Sequence, residues 1–503
     1  MGKSEQIKSG AIITYISNAC NIIISIAITP IILGLIGKEE YGLYSLIYSI
    51  MGYFSILDFG FGNAMIRYVA KYKAEGKDEK NINSLFLLIY CVIGIITLLV
   101  GSVIYANLGN IFGASLTEVE LEKAGIMMLI FLIGTAISFP LSVFSSYILA
   151  NEKFVFLKIL NLARILLYPI MIIPLLIFGY KSISMVVVYT VLNLAMHFSY
   201  TIYAVFKLKM KLTFDIKKID FSIFKEIIVY SFFIFLAIIV DTIFNNTDQV
   251  ILGIVSGTAA VSVYSVANQI KNANMAFSTA ISTLFLPKIT KLLSLGKNDE
   301  INKTFLSVSK IQLYIMLLIL SGFFIFGKSF VLLWVGNEYL DAYYIVLWLI
   351  GISIIPLTQN LGISVLQAMN KHKFRSVVYI IIAVFNVIIS IPLAKAYAGI
   401  GAAIGSAIAV LLGQVIIMNI YYYRVAKLDI PMYWKNFIKV CLPVLIFSLI
   451  SAYLIRNLQF DWFKLFVAFG VYTFIYIIYI FAFHFTNDER LYFKNKLVKR
   501  NEK

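Results

Sequence analysis

The stretch SFFIFLAIIVDTIFNNTDQVILGIVSGTAAVSVYSVANQIKNANMAFSTAISTLFL, residues 231–286, sets the reading of the whole chain. It is the middle of residues 222–304, two long apolar segments joined by a turn at Val255, Ser256 and Gly257. Asp241 stands 15 residues before Ser256, and Lys271 stands 15 after it. In a transmembrane hairpin rising ~1.5 Å per residue, both charges lie ~22 Å from the turn, near the bilayer midplane. A charge there costs several kcal/mol, so the two mark either a functional site or a pair that neutralises itself.

The same stretch repeats the beginning of the chain. Leu33 and Gly34 match Leu252 and Gly253 at an offset of 219, while Tyr44 and Ser45 match Tyr264 and Ser265 at 220. Gly76 and Lys77 match Gly296 and Lys297, Lys153 and Phe154 match Lys373 and Phe374, and Gly179 matches Gly399, all at 220. Each match falls at a corresponding loop or segment end, which argues for a duplicated half.

Composition excludes an ordinary soluble protein: 61% of the 503 residues are hydrophobic, 13% are charged, and mean hydropathy is +0.91. The net charge of +17 is spread between apolar runs, where it orients a membrane protein and offers no nucleic-acid surface. Cys20, Cys91 and Cys441 lie within apolar runs at no metal-binding or disulfide spacing, so they read as inert thiols. Lys3 and Lys8 precede an apolar segment too long for a signal-peptide core, which is expected to remain as the first span.

Apolar runs place spans near 9–36, 41–66, 82–106, 124–149, 155–179, 182–206, 223–254, 257–287, 304–327, 340–366, 375–398, 401–424, 436–456 and 462–486. The fold class is therefore an all-α polytopic membrane protein of about 14 transmembrane helices: two parallel six-helix repeats plus two C-terminal helices. Residues 1–206 form an N-lobe, 207–221 a lysine-rich cytoplasmic linker, 222–424 a C-lobe, and 425–503 the last two spans with a basic tail. Of the 42 lysines and arginines, 31 fall on the side of the N-terminus and 7 on the other, so both termini are expected in the cytoplasm.

Several polar residues share helical faces inside these spans. Thr14, Asn18, Asn21, Ser25 and Thr29 form one stripe in span 1; Asp241, Asn245 and Asp248 share a face of span 7, as do Ser265, Asn268, Lys271 and Asn272 in span 8. Asp58 of span 2 reaches the depth of Asn18. Arg164 and His197 reach a common depth in spans 5 and 6. Such stripes either line an aqueous cleft or hydrogen-bond neighbouring helices. Arg164 cannot readily lose its proton and needs a carboxylate, a phosphate or water. A substrate phosphate, a structural anchor and an ion pair with Asp58 all answer that need, and Lys271 has the same alternatives. His197 alone reads as a satisfied interior histidine.

No catalytic constellation, metal site or cofactor motif is present in the sequence, and the Gly60 and Gly62 cluster lies in a span rather than between a strand and a helix. With no sizeable soluble domain to bind ATP, work must draw on an ion gradient, the membrane potential or the substrate's own gradient. Asp58, Asp241 and Asp248 are the natural H+ or Na+ sites.

The run LGLIGKEEYGLYSLIYSIMGYFSILDFGFGNAMIRYVA, residues 33–70, resembles the start of polysaccharide-biosynthesis transporters. DQVILGIVSGTAAVSVYS, residues 248–265, resembles the start of their second lobe, and YAGIGAAIGSAIA, residues 397–409, fits the turn between spans 11 and 12. These transporters belong to the multidrug, oligosaccharidyl-lipid and polysaccharide exporter superfamily. The resemblance implies a flippase, not an enzyme, that moves a polyprenyl-pyrophosphate-linked oligosaccharide from the cytoplasmic to the outer leaflet by alternating access. Lys271 and Arg164 would meet the pyrophosphate in a cleft lined by Asn18, Asn21, Ser25, Asn245, Asn268 and Asn272. It implies a bacterial plasma-membrane protein acting as a monomer among membrane lipids, with the polymerisation machinery as a candidate partner. A cation-coupled drug or metabolite exporter of the same fold is one alternative. A membrane glycosyltransferase or polymerase using Glu118, Glu120 and Glu122 of the 107–123 loop is another.

Overall fold

The computed structural model describes residues 3–213, 223–369, 371 and 373–485. The linker from residue 214 to 221 and the basic tail from Arg490 to Lys503 lie outside the described residues. Among the described residues there is no strand. The helices run α1 (Lys3–Ile36), α2 (Lys38–Gly52), α3 (Phe61–Ala74), α4 (Lys80–Ala106), α5 (Leu108–Phe112), α6 (Glu118–Ala150), α7 (Phe154–Ile177) and α8 (Ser182–Ile202). They continue as α9 (Phe224–Val255), α10 (Thr258–Thr283), α11 (Leu286–Ser294), α12 (Asn298–Val335), α13 (Asp341–Thr358), α14 (Asn360–Ala368), α15 (Lys373–Val410), α16 (Met418–Arg424), α17 (Ile430–Ile455) and α18 (Trp462–Phe483).

In hydrocarbon every backbone polar group has to be satisfied within its own segment, so long apolar runs become helices. Twelve described segments are long and apolar enough to cross a membrane. That count departs from the expected fourteen at two places. The segment 373–424 counts once, yet its backbone leaves the helix at Tyr397 (φ −131°) and Ala398 (φ 46°). Past that break the chain folds back so closely that a Cβ on Gly401 would stand 1.9 Å from the Leu393 carbonyl oxygen. The second place is α10, which is absent from the twelve: Ser262, Ser265, Asn268, Gln269, Lys271, Asn272 and Asn274 lower its hydropathy.

The repeat is visible in the backbone. Gly37 (φ 84°) and Gly257 (φ 81°) turn the chain after α1 and α9, and Gly76 (φ 66°) and Gly296 (φ 68°) do so after α3 and α11. Both pairs keep the 220-residue register, and both use the left-handed conformation that glycine adopts without strain.

Span 2 is not one helix. It passes through a 3-10 turn at Tyr53–Asp58, and Phe59 (φ 50°) and Gly60 (φ 78°) are both left-handed before α3 begins. The second half breaks likewise between α10 and α11. The run DFGFG is apolar enough to pass for continuous helix; the two consecutive left-handed residues are what end it.

The chain forms two compact units, Met1–Gln269 with Lys373–Ala409, and Ile270–His372 with Val410–Lys503. This is a division by packing, whereas the lobe boundaries above divide the chain by repeat. In the first unit α1 packs on α7, α4 and α8 on α6, and the α2–α3 segment on α9. That last seam runs antiparallel over its whole length. Near the Lys38 end a Cβ on Gly42 would stand 1.9 Å from the Thr258 carbonyl oxygen, and Ser49 donates to Gln249. Tyr53 and Thr247 share a hydrogen bond of 2.5 Å in the middle. Phe59 meets Phe235 (ring centroids 5.1 Å), and Arg67 lies over Tyr230 (4.4 Å) at the other end. In the second unit α12 packs on α13, α17 and α18 around Leu313, Met316, Leu317, Val440 and Tyr472. An apolar cavity of about 930 Å³ there is walled by α12, α13 and α17, with Trp348, Trp434, Phe437 and Leu445 in its lining.

Because Gly42 meets backbone rather than a movable side chain, Gly42→Ala is expected to destabilise the protein by ~1–3 kcal/mol. Thermal unfolding in detergent checks this; an unchanged Tm would mean that the seam is looser than described.

Candidate functional site

Arg164 sits on α7 in the first unit, partly buried. Its guanidinium donates to the Asn161 side-chain oxygen at 3.2 Å and lies 5.7 Å from the centre of the Tyr189 ring on α8. Its Nε is buried without a hydrogen-bond partner, and among the described residues no carboxylate pairs with it. His197, one helix along, lies within electrostatic reach of Arg164 and faces Tyr200 with ring centroids 5.8 Å apart. Its Nδ1 is also buried without a partner. The common depth counted from the Tyr180 turn thus brings two residues into one neighbourhood.

Asp58 is engaged elsewhere. It closes the 3-10 turn, accepts backbone N–H groups of Gly60 and Gly62, and receives the Tyr90 hydroxyl at 2.5 Å. A carboxylate at the start of α3 satisfies amides that the broken span would otherwise leave bare in hydrocarbon. The anion is also favoured by the helix dipole. Asp58 and Arg164 therefore have separate partners.

The span 7 face divides. Asp241 and Asn245 are exposed, Asn245 donating to the Asp241 carbonyl at 2.8 Å, whereas Asp248 is buried. The charge that Asp241 feels within its unit is Arg375, at the start of α15. Arg375 was not singled out from the sequence, because it reads there as an ordinary loop cation. Asp248 receives the Tyr264 hydroxyl and, at 2.6 Å, that of Ser406. Asn386 donates to Ser406 at 3.2 Å, and Ser390 to Asn386 at 2.9 Å. Asn386, Ser390 and Ser406 were missed too, since they lie 138 to 158 residues from Asp248 and only the fold collects them.

In span 1, Asn18 and Asn21 are exposed, Thr14 and Ser25 are partly so, and Thr29 is buried and donates to Gln269 at 2.9 Å. Asn268 is buried with its side-chain oxygen unpartnered. Lys271, partly buried, and Asn272, exposed, belong to the second unit, which begins at Ile270. Asp241 and Lys271 thus fall in different units. In the 107–123 loop, Thr117 and Glu120 form a capping box for α6, and Glu120 also receives the Thr258 hydroxyl at 2.7 Å. Glu120 therefore works as a helix cap. Among the described residues no group of histidine, cysteine or acidic side chains has the arrangement of a metal site.

Residues 7–293, more than half of the chain, match the family model described as "Polysaccharide biosynthesis protein". A curated protein of Haloferax volcanii, "Probable low-salt glycan biosynthesis flippase Agl15", is 24% identical over 201 residues. The match spans 39% of this chain and 42% of that relative's length. Among solved structures, "Lipid II flippase MurJ, inward closed conformation" superposes with a TM-score of 0.70 at 19% identity, over 94% of this chain and 98% of that one. An inward-facing multidrug resistance MATE family transporter of the MOP superfamily gives 0.61 at 13% identity, over 79% and 93%. These likenesses establish a shared fold, and the proteins named are transporters and flippases.

If Asp58 serves mainly to close α3, Asp58→Ala is expected to lose ~1–2 kcal/mol of stability, the usual effect of removing an N-cap, more if Tyr90 is left unpaired. Asp58→Asn, which keeps an acceptor oxygen, should recover most of it. Thermal unfolding of the two variants side by side decides; equal losses would point away from capping.

Proposed function

The chain belongs to the polysaccharide biosynthesis protein family, and we propose that it is a flippase for a polyprenyl-pyrophosphate-linked oligosaccharide, moved from the cytoplasmic to the outer leaflet by alternating access. The observation that carries this reading is Arg164: a cation at membrane depth whose protein partners are an amide oxygen and an aromatic ring. A partly buried guanidinium with an unpartnered Nε needs an anion, and a phosphate accepts its fork of donors. Lys271, in the second unit, is the alternative cation for the phosphate. Asn18, Asn21 and Asn245, all exposed, offer hydrogen bonds to sugar hydroxyls.

Coupling is assigned to Asp248 first, because it is buried among hydroxyls and an amide that could exchange contacts with a bound Na+ or H+. Asp241 and Asp58 are the further candidates. An ion bound more tightly in one state of the cycle would shift the population toward that state. The exposed Asp241 also suits a rival reading, an exporter of cationic drugs on the same fold; loss of drug resistance with intact surface polymer in a deletion strain would favour it.

Reconstituted in liposomes, the wild-type protein should move a fluorescent lipid-linked saccharide between leaflets. Lys271→Ala should abolish that movement with the protein still inserted and folded, and full activity in this variant would refute the phosphate role. Asp248→Asn is expected to leave transport insensitive to an imposed Na+ or H+ gradient. Retained sensitivity would move the coupling site elsewhere.

A further inference from the structure

Helix α2 is buried at every position from Tyr41 to Met51 except two. Those two are Tyr44, partly buried, and Tyr48, 43% exposed. They lie one turn apart on one face. Packed on its other sides, α2 is open along this face alone. The open ring is bounded by Tyr44 (ring centroids 6.0 Å from Tyr48), Phe131 of α6 (6.2 Å) and Tyr189 of α8 (5.5 Å). Tyr48 and Tyr189 stand nearly perpendicular, at 88°, so that together they form a corner. Over Tyr189 lies Arg164, with its unpartnered Nε, and Tyr168 stands against Tyr44.

Ordinary core packing would close an aromatic cluster of this kind. Here the central ring keeps nearly half its surface open, beside a cation that no carboxylate pairs with among the described residues. A ligand for this corner must offer a flat, weakly polar face to a ring and an anion a few ångströms away. A pyranose ring bonded directly to a phosphate does both: its C–H face lies against an aromatic ring, and its anomeric phosphate reaches the guanidinium.

We infer that the Tyr48–Tyr189 corner seats the first sugar of the lipid-linked chain, the one joined to the pyrophosphate, with Arg164 on the adjoining phosphate. This rests on the flippase reading and adds to it a place where the sugar nearest the lipid is recognised. Sugars further along the glycan are left outside the corner, so the protein would select for the reducing-end residue and tolerate variation beyond it.

The test uses the purified full chain and two soluble probes, farnesyl pyrophosphate and farnesyl-pyrophosphoryl-N-acetylglucosamine, titrated by calorimetry. The wild type should bind the glycosylated probe at least about tenfold more tightly. Tyr48→Leu should erase that preference and leave the affinity for farnesyl pyrophosphate unchanged, while Tyr48→Phe, which keeps the ring, should retain it. Arg164→Gln should weaken both probes together. Tyr189→Leu reads the other wall of the corner should Tyr48→Leu not fold. Equal binding of the two probes by the wild type, or a preference surviving in both leucine variants, overturns the sugar seat and leaves the flippase reading standing. Binding of neither probe overturns both.

Discussion

An arginine placed at membrane depth has to be answered by something, because its charge cannot be removed and water is scarce. In this protein the surrounding side chains answer Arg164 only in part. Asn161 takes one donor, the Tyr189 ring attracts the cation electrostatically, and Nε is left over. Most intramembrane charges are neutralised by a neighbour of opposite sign, and among the described residues no carboxylate pairs with Arg164. Asp58 holds the start of α3 and the Tyr90 hydroxyl; Asp248 holds Tyr264 and Ser406. The residual demand at Arg164 is what makes an anionic cargo chemically sensible.

The α2–α9 seam supplies the rigidity behind that site. Helix α2 reaches backbone contact where Gly42 meets Thr258 at the start of α10, and its hydrogen bonds to α9 at Ser49 and Tyr53 follow along the same line. A cross-helix hydrogen bond in a membrane is worth only ~0.5–2 kcal/mol, so several in register are needed to hold a position. Held on all other sides, α2 presents Tyr44 and Tyr48 at fixed orientation. The irregular backbone at Phe59 and Gly60 is tolerated because Asp58 caps the helix that follows.

Much of the architecture could be read from residue order alone. Matching residues at offsets of 219 and 220, Gly76 and Gly296 among them, announced the repeat, and the left-handed backbone at those two shows why glycine stands there. Counting residues from a turn was enough to bring Arg164 and His197 to one level. What stayed hidden was non-local or looked ordinary. The partners of Asp248 come from α15, far along the chain, and Arg375 reads as a loop cation until α15 brings it to Asp241. Tyr44 and Tyr48, at helical spacing, resemble any buried aromatic pair, and only the packing around α2 reveals that one ring is open. The polar residues that give α10 its interest also lower its hydropathy, and DFGFG conceals a break inside an apolar run.

The central claim is that this protein carries a lipid-linked saccharide across the membrane. The most direct measurement is mass analysis of lipid extracts from cells depleted of the protein, together with an assay of which leaflet holds the sugar. The account expects a polyprenyl-pyrophosphate-linked saccharide to accumulate on the cytoplasmic side while surface polymer declines. Unchanged lipid-linked pools, or accumulation on the outer face, would contradict it.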